Sequence, residues 1–285
     1  MVFKSSSSDN AKLTPSSTIK LNNGAQHPVI GLGTYLLKDS ASIAQAINTG
    51  YKALDTACFY HNHKEFGKGV RDSGVPRESL YLISKVDPWT GTVRNARQSI
   101  LQSLQDAQVG YWDLVLVHSP SGGKSVRMGA YQELSTLVEE GKIRSLGVSN
   151  YGVKHIEELL NSKPKYTPVV NQVEVHTMHS NSEVVEWCKK QGILIQAYCP
   201  LARCRSLKDE RIGSVAEKHG ATNAQVMLAW LIGRGLVPLP KSGNKERQQD
   251  NLQSLKVELS DEDNALLNGL DMEMDVDGQF MIQSM

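Results

Sequence analysis

Short apolar runs rich in Val, Ile and Leu alternate with longer amphipathic segments along most of this chain. The runs fall at 29–32, 53–55, 80–85, 114–118, 145–149, 169–173, 193–198 and 237–240. Between them, apolar residues recur at helical spacing over 40–49, 93–104, 131–140, 153–160 and 183–190, and two further helical stretches, 211–219 and 223–233, precede the last run. Runs that are nearly continuous in apolar character predict strands of a parallel sheet buried on both faces. Alternating strands and helices predict a parallel α/β fold. Eight such units over about 250 residues fit a (β/α)8 TIM barrel better than an open doubly wound sheet. Ahead of the first run, residues 18–28 alternate and turn at Asn22-Asn23-Gly24, which predicts a short N-terminal β-hairpin. Residues 1–17 are Ser-rich and aperiodic and are expected to form a disordered tail. Nothing interrupts the rhythm after that, so 18–285 is expected to be one barrel domain.

Polar residues sit where the apolar runs end. Asp55 closes ALD, Lys85 closes LYLISK, His118 closes LVLVH and Ser149-Asn150 close LGVSN. Asn171-Gln172 lie in VVNQV, Tyr198 closes ILIQAY, and Lys241-Ser242 follow VPLP. One Asp or Lys at a strand end is an ordinary loop residue. In a barrel, however, all the carboxyl ends converge on one face, where active sites are built, so these groups are expected to share a mouth.

Composition acts by exclusion. Apolar residues make up 40% and charged residues 21%, with 31 Lys and Arg against 30 Asp and Glu, a net charge of +1. That balance offers no strong attraction to nucleic acid or anionic membrane. The longest apolar run, 226–232, is far short of the ~20 residues of a membrane span, and the N-terminus has no apolar stretch of the secretory kind. Four cysteines (Cys58, Cys188, Cys199 and Cys204) do not make a disulfide scaffold and suit a reducing compartment. A cytoplasmic enzyme with no obligate protein partner is the expectation. His61-x-His63 and His176-x-x-His179 lack the Cys or carboxylate partners of a familiar zinc pattern, so no metal is expected. The GLGTYL stretch at 31–36 lacks the third glycine of a dinucleotide fingerprint and reads as the first strand's exit, with Thr34 and Tyr35 at the mouth.

Asp55, Tyr60, Lys85 and His118 bring together an acid, a phenol, an amine and an imidazole. A phenol titrates near ~10, an adjacent ammonium is expected to lower that value, and a carboxylate would hold the ammonium charged. An imidazole can hydrogen-bond a carbonyl oxygen as charge develops on it. This set suits protonation of an alkoxide. The motifs ALDTACFY, ISK, DLVLVHSP, GKIRSLGVSN, NQVEVH, QAYCPL and PKSGNKERQQDN, in that order, resemble those of the aldo-keto reductase family over about residues 18–271.

The resemblance implies NADPH-linked reduction of a small-molecule carbonyl, with Tyr60 as proton donor, Lys85 and Asp55 as its activating pair and His118 orienting the carbonyl. It implies that Ser149, Asn150 and Gln172 hold the nicotinamide carboxamide and that Tyr198 stacks on the ring, with Thr34 and Leu201 also at the cofactor. Lys241, Ser242 and Arg247 would hold the 2′-phosphate, with Asn251 near the adenine. A fork plus a point charge is the right donor set for a phosphate. Tyr35, Trp89 and Ser119 are expected at the substrate. Ser119 stands where the family commonly has Trp, His63 where Glu is usual and Cys199 where Ser is common. The chain also ends soon after Asp271, without the long C-terminal loop of many relatives. These departures imply an open, permissive pocket. Imine reduction and a non-catalytic NADPH-binding barrel are the alternative readings.

Overall fold

A computed structural model describes residues 12–87 and 94–272. Eight parallel strands form the barrel: β3 (Gly31–Gly33), β4 (Ala53–Asp55), β5 (Tyr81–Val86), β6 (Trp112–Val117), β7 (Ile143–Ser149), β8 (Val170–Glu174), β9 (Leu194–Tyr198) and β10 (Val237–Pro238). Each pairs with the next in sequence order. The Gly33 N–H donates to the Pro240 carbonyl at 3.0 Å, bringing the first strand against the last. That seam depends on glycine, because a Cβ on Gly31 would lie 2.7 Å from Leu239 Cδ2. All eight strands coincide with expected runs to within a few residues, as does the antiparallel hairpin of β1 (Thr18–Lys20) and β2 (Gln26–Pro28). Gly24, at the hairpin turn, has a φ of 87°, a conformation that favours glycine.

Helices α1 (Ser40–Thr49), α2 (His63–Asp72), α3 (Arg94–Ala107), α4 (Gly123–Glu139), α5 (Val153–Asn161), α6 (Ser182–Lys190), α7 (Glu210–Lys218), α8 (Asn223–Gly233), α9 (Lys245–Gln253) and α10 (Asp261–Asn268) surround the sheet. A continuous apolar core, including Leu54, Phe66, Leu82, Trp112, Val148 and Trp230, fills the space between strands and helices. Helix α8 is buried from Gln225 to Ile232, which explains its unbroken apolar sequence.

Three helices fall outside the expected pattern. Helix α2 carries Gly67 and Gly69, which weaken helix propensity but allow close packing. A Cβ on Gly67 would lie 1.8 Å from the Ala107 carbonyl oxygen, and one on Gly69 would lie 2.6 Å from Ile43 Cβ. Helices α9 and α10 are mostly polar and bury three and two positions, respectively, so neither shows an apolar stripe. Helix α4 begins eight residues before the expected start, because its opening turns are exposed or half-buried and its buried positions begin only at Ala130.

Of the expected tail, residues 1–11 lie outside the described residues, and residues 12–17 are not a disordered tail. Residues 12–17 lie on the body of the fold: Leu13 packs against the core, Pro15 lies beside Gly50, and the Ser17 carbonyl accepts from the Val29 N–H at 3.1 Å. Ser and Thr in this segment make local turn bonds rather than disorder.

Candidate active site

The carboxyl ends of the strands meet as parallel topology requires. Asp55 ends β4 and Lys85 lies next to the end of β5, one strand over. Tyr60 is delivered by a 3-10 turn, Cys58–Tyr60, and the chain then reverses at His61 through a φ of 50°. Buried Asn62 anchors that turn. Its Oδ1 accepts from the Thr56 hydroxyl at 2.6 Å, while its Nδ2 donates to the carbonyls of Thr34 (3.0 Å) and Leu37 (3.1 Å).

Lys85 is 0% exposed, and all three of its ammonium hydrogens have acceptors. Nζ contacts Asp55 Oδ1 at 2.5 Å, the Thr56 carbonyl at 3.1 Å and the Tyr60 hydroxyl at 3.1 Å. Burying a cation in this way requires a paired charge and full hydrogen bonding. Burial pushes the Lys85 ammonium down against the attraction of Asp55. Burial also pushes the Tyr60 phenol well above its ordinary range, and the charge of Asp55 pushes the same way. The expected lowering of Tyr60 by Lys85 is therefore not what this site does: desolvation outweighs the neighbouring ammonium, and the phenol keeps its proton.

His118 stands beside this chain, its ring edge-on to Tyr60 with centroids 6.0 Å apart. Its Nδ1 contacts Asp87 Oδ1 at 3.1 Å. A carboxylate only accepts, so Nδ1 carries a hydrogen and Nε2 is left to face a ligand. Sequence reasoning missed Asp87, which lies two residues beyond Lys85 in a loop with no periodic signal. Tyr35 and Phe59 flank the mouth, 41% and 54% exposed, with the Tyr35 ring 5.0 Å from that of Tyr60.

The expected carboxamide residues also meet here. The Ser149 hydroxyl donates to the Gln172 carbonyl at 2.8 Å. Asn150 adopts a φ of 60°, donates through Nδ2 to the His118 carbonyl at 2.9 Å and accepts at Oδ1 from the Tyr198 hydroxyl at 2.9 Å. Tyr198 is thereby pinned at the end of β9. Leu201 is half-buried against the core, in a loop where Cys199, Ala202, Arg203 and Cys204 all take left-handed φ values of 48–69°. Four such residues within six positions make a strained segment at the mouth.

After β10, Asn244 caps α9 by accepting from the Arg247 N–H at 2.9 Å. Lys241 and Arg247 are exposed there, whereas the Ser242 hydroxyl is turned in and accepts from the Asn244 N–H at 3.1 Å.

Several expected contacts are displaced. Thr34 is fully buried and its hydroxyl donates to the Asp55 carbonyl at 2.8 Å, so it supports the mouth from behind. Asn251 is 4% exposed and hydrogen-bonds the Tyr51 hydroxyl, which leaves little of it for an adenine. Ser119 is 3% exposed with its hydroxyl accepting from the Ser121 N–H at 3.3 Å, so its hydroxyl is turned to its own loop. Trp89 lies outside the described residues. His63 is buried and bonded to the Ser84 hydroxyl at 3.0 Å. A cavity of about 750 Å³ lies between α2 and α3. Among the described residues, no three His, Cys, Asp or Glu side chains gather to hold a metal ion.

This barrel, with an acid, amine, phenol and imidazole at its mouth, has known counterparts. The model of the Aldo/keto reductase family matches residues 30–272. The chain belongs to that family. It is 38% identical over 250 residues to the glyoxal reductase of Bacillus subtilis, covering 86% of this chain and 90% of the relative. It is 36% identical over 250 residues to the methylglyoxal reductase DkgB of Escherichia coli O157:H7, covering 86% and 93%. Among solved structures, MGS-M4, an aldo-keto reductase from a Medee basin deep-sea metagenome library, superposes with a TM-score of 0.87 at 33% identity, covering 92% of this chain and 98% of that one. The chain is thus a carbonyl-reducing oxidoreductase by family, and the family uses nicotinamide cofactors.

Proposed function

We propose that this protein is an NADPH-dependent reductase of aldehydes and ketones, with Tyr60 as proton donor. The observation that carries the proposal is the continuous Asp55–Lys85–Tyr60 hydrogen-bonded chain set beside His118. The donor set also fits the cofactor. Lys241 and Arg247 are exposed cations at a capped helix N-terminus, where the helix dipole favours an anion such as a 2′-phosphate. Ser149, Asn150 and Gln172 would hold the carboxamide and Tyr198 would face the ring.

The reduced nicotinamide supplies a hydride when bound. His118, its Nδ1 held on Asp87, turns Nε2 to the substrate oxygen and orients the carbonyl. Tyr60 then delivers its proton to the oxygen as alkoxide character develops. Its raised pKa matches that role, because the phenol holds its proton until a stronger base forms. The phenolate left behind is met by Lys85 Nζ, whose charge Asp55 balances. The relatives named for glyoxal and methylglyoxal reduction make small 2-oxoaldehydes the first substrates to test. All four cysteines are free thiols, which fits a cytoplasmic setting.

The test is cofactor oxidation with methylglyoxal and an aromatic aldehyde, using NADPH and NADH in parallel. Turnover with preference for NADPH is expected. Arg247→Ala should weaken NADPH about ten- to hundredfold, the scale of a charge-assisted hydrogen bond, and leave NADH unchanged. No turnover of any carbonyl, or equal losses for both cofactors, would contradict the proposal.

A further inference from the structure

Behind the site, a line of buried side chains runs down the barrel to its opposite end. Asp55 Oδ2 accepts from Gln172 Nε2 at 2.9 Å. The same nitrogen donates to Gln196 Oε1 at 2.8 Å, across the β8–β9 pair. Gln196 Nε2 lies 2.7 Å from His27 Nε2, and His27 Nδ1 lies 2.7 Å from the Pro28 carbonyl. His27 belongs to the hairpin and packs against Tyr81, the first residue of β5, at 4.4 Å between ring centroids. Gln172 is 2% exposed, and His27 and Gln196 are 0% exposed.

The line has one consistent polarity, fixed at both ends. A carbonyl can only accept, so His27 Nδ1 carries the hydrogen; an amide nitrogen can only donate, so His27 Nε2 is bare. That turns Gln196 Oε1 toward Gln172. At the other end, the Asp55 carboxylate demands a hydrogen from Gln172 as well. Both hydrogens of Gln172 Nε2 are therefore used, and its Oε1 has no hydrogen bond among the described residues. Burial pushes His27 down to about 4, which keeps the ring neutral and the polarity intact at neutral pH.

We infer that His27 and Gln196 are positioning residues: from the far end of the barrel they fix the Gln172 amide so that its nitrogen braces Asp55 and its oxygen is presented to a ligand's N–H donor. The inference rests on the proposed function for its ligand, a carboxamide NH2, but not for its geometry. Reversing Gln172 would set an oxygen against both a carboxylate and Gln196 Oε1. Losing Gln196 frees one hydrogen of Gln172 directly, and losing His27 lets the Gln196 amide turn its nitrogen toward Gln172; either change leaves Asp55 alone to hold the Gln172 amide.

Four variants and one spectrum decide it. In the cofactor-free protein, 15N NMR of His27 should show a neutral ring with Nδ1 protonated and Nε2 bare; the opposite tautomer would break the polarity and overturn the inference. Gln196→Leu and His27→Leu should each weaken NADPH binding roughly tenfold, the scale of one buried polar group left unpaired. His27→Gln offers an oxygen in place of Nε2 and should restore most of that affinity, with kcat for an aldehyde following the same order. Gln196→Glu puts a carboxylate opposite the bare His27 nitrogen and should not rescue at neutral pH. If Gln196→Leu fails to fold, the comparison of His27→Gln with His27→Leu still decides. Equal NADPH affinity in both folded His27 variants and the wild type, with only thermal stability changed, would mean that these residues support the barrel and position nothing. Failure of the wild type to bind NADPH would instead remove the functional reading, and the NMR result would still stand for or against the polarity.

Discussion

Lys85 is the residue on which the site turns. A 0% exposed ammonium is stable only because a carboxylate, a carbonyl and a phenol oxygen take its three hydrogens. The same burial keeps Tyr60 protonated, so the site stores a proton on the phenol and a charge beneath it. Four of the positions gathered at the mouth were legible in the sequence, because Asp55, Tyr60, Lys85 and His118 fall at or just beyond strand ends that a barrel gathers. Asp87, Asn62, His27 and Gln196 were not. Each is a polar residue whose partner lies elsewhere in the sequence, and no local pattern marks such a pair. Asp87 supplies the residue-scale prediction. Asp87→Leu should leave NADPH binding unchanged and lower kcat/KM for carbonyls by about ten- to hundredfold, the range for a hydrogen bond to a charged group. Steady-state kinetics showing wild-type kcat/KM would mean that the 3.1 Å contact does not orient His118.

At the scale of elements, strands were far more legible than helices. A strand buried on both faces announces itself as an apolar run, as in 80–85 and 114–118, and the structure places β5 and β6 there. Helix α2 shows the opposite case. Its glycines, read alone, argue against a helix, and only the contact with Ala107 and Ile43 explains why they are there. Gly67→Ala should therefore destabilise the protein by about 3 kcal/mol or more, since the neighbour is backbone and cannot rotate away. Gly110→Ala is the control: a Cβ there meets nothing within 4 Å. Urea denaturation in which the two variants unfold at similar midpoints would show that α2 is not packed as closely as described.

For the whole molecule, the barrel serves as a rigid frame whose core includes titratable groups held neutral. Burial lowers both His27 and His63 from an ordinary 6.5 to about 4. Unfolded chains therefore bind more protons than folded ones between those values. The stabilisation is complete above pH 6.5 and is lost as pH falls towards 4, with an upper bound of roughly 3 kcal/mol for each histidine. Urea midpoints should drop between pH 7 and pH 5, and His63→Gln, which keeps a partner for Ser84 without titrating, should reduce the drop. An identical drop in that variant would show that His63 does not contribute to the acid sensitivity. The overall architecture was legible because eight-fold alternation is a property of the entire chain. The placement of residues 12–17 was not, because a few contacts from Leu13 and Pro15 hold them without any periodic signature.

The central claim is that Tyr60 delivers the proton that completes carbonyl reduction. Tyr60→Phe keeps the ring and removes only the hydroxyl, so the most direct measurement pairs NADPH binding by fluorescence titration with single-turnover reduction of an aldehyde in this variant. The account predicts unchanged NADPH affinity and a rate lower by roughly 10²–10⁴-fold, the usual contribution of general acid catalysis. Reduction at close to the wild-type rate, with NADPH bound equally well, would contradict it.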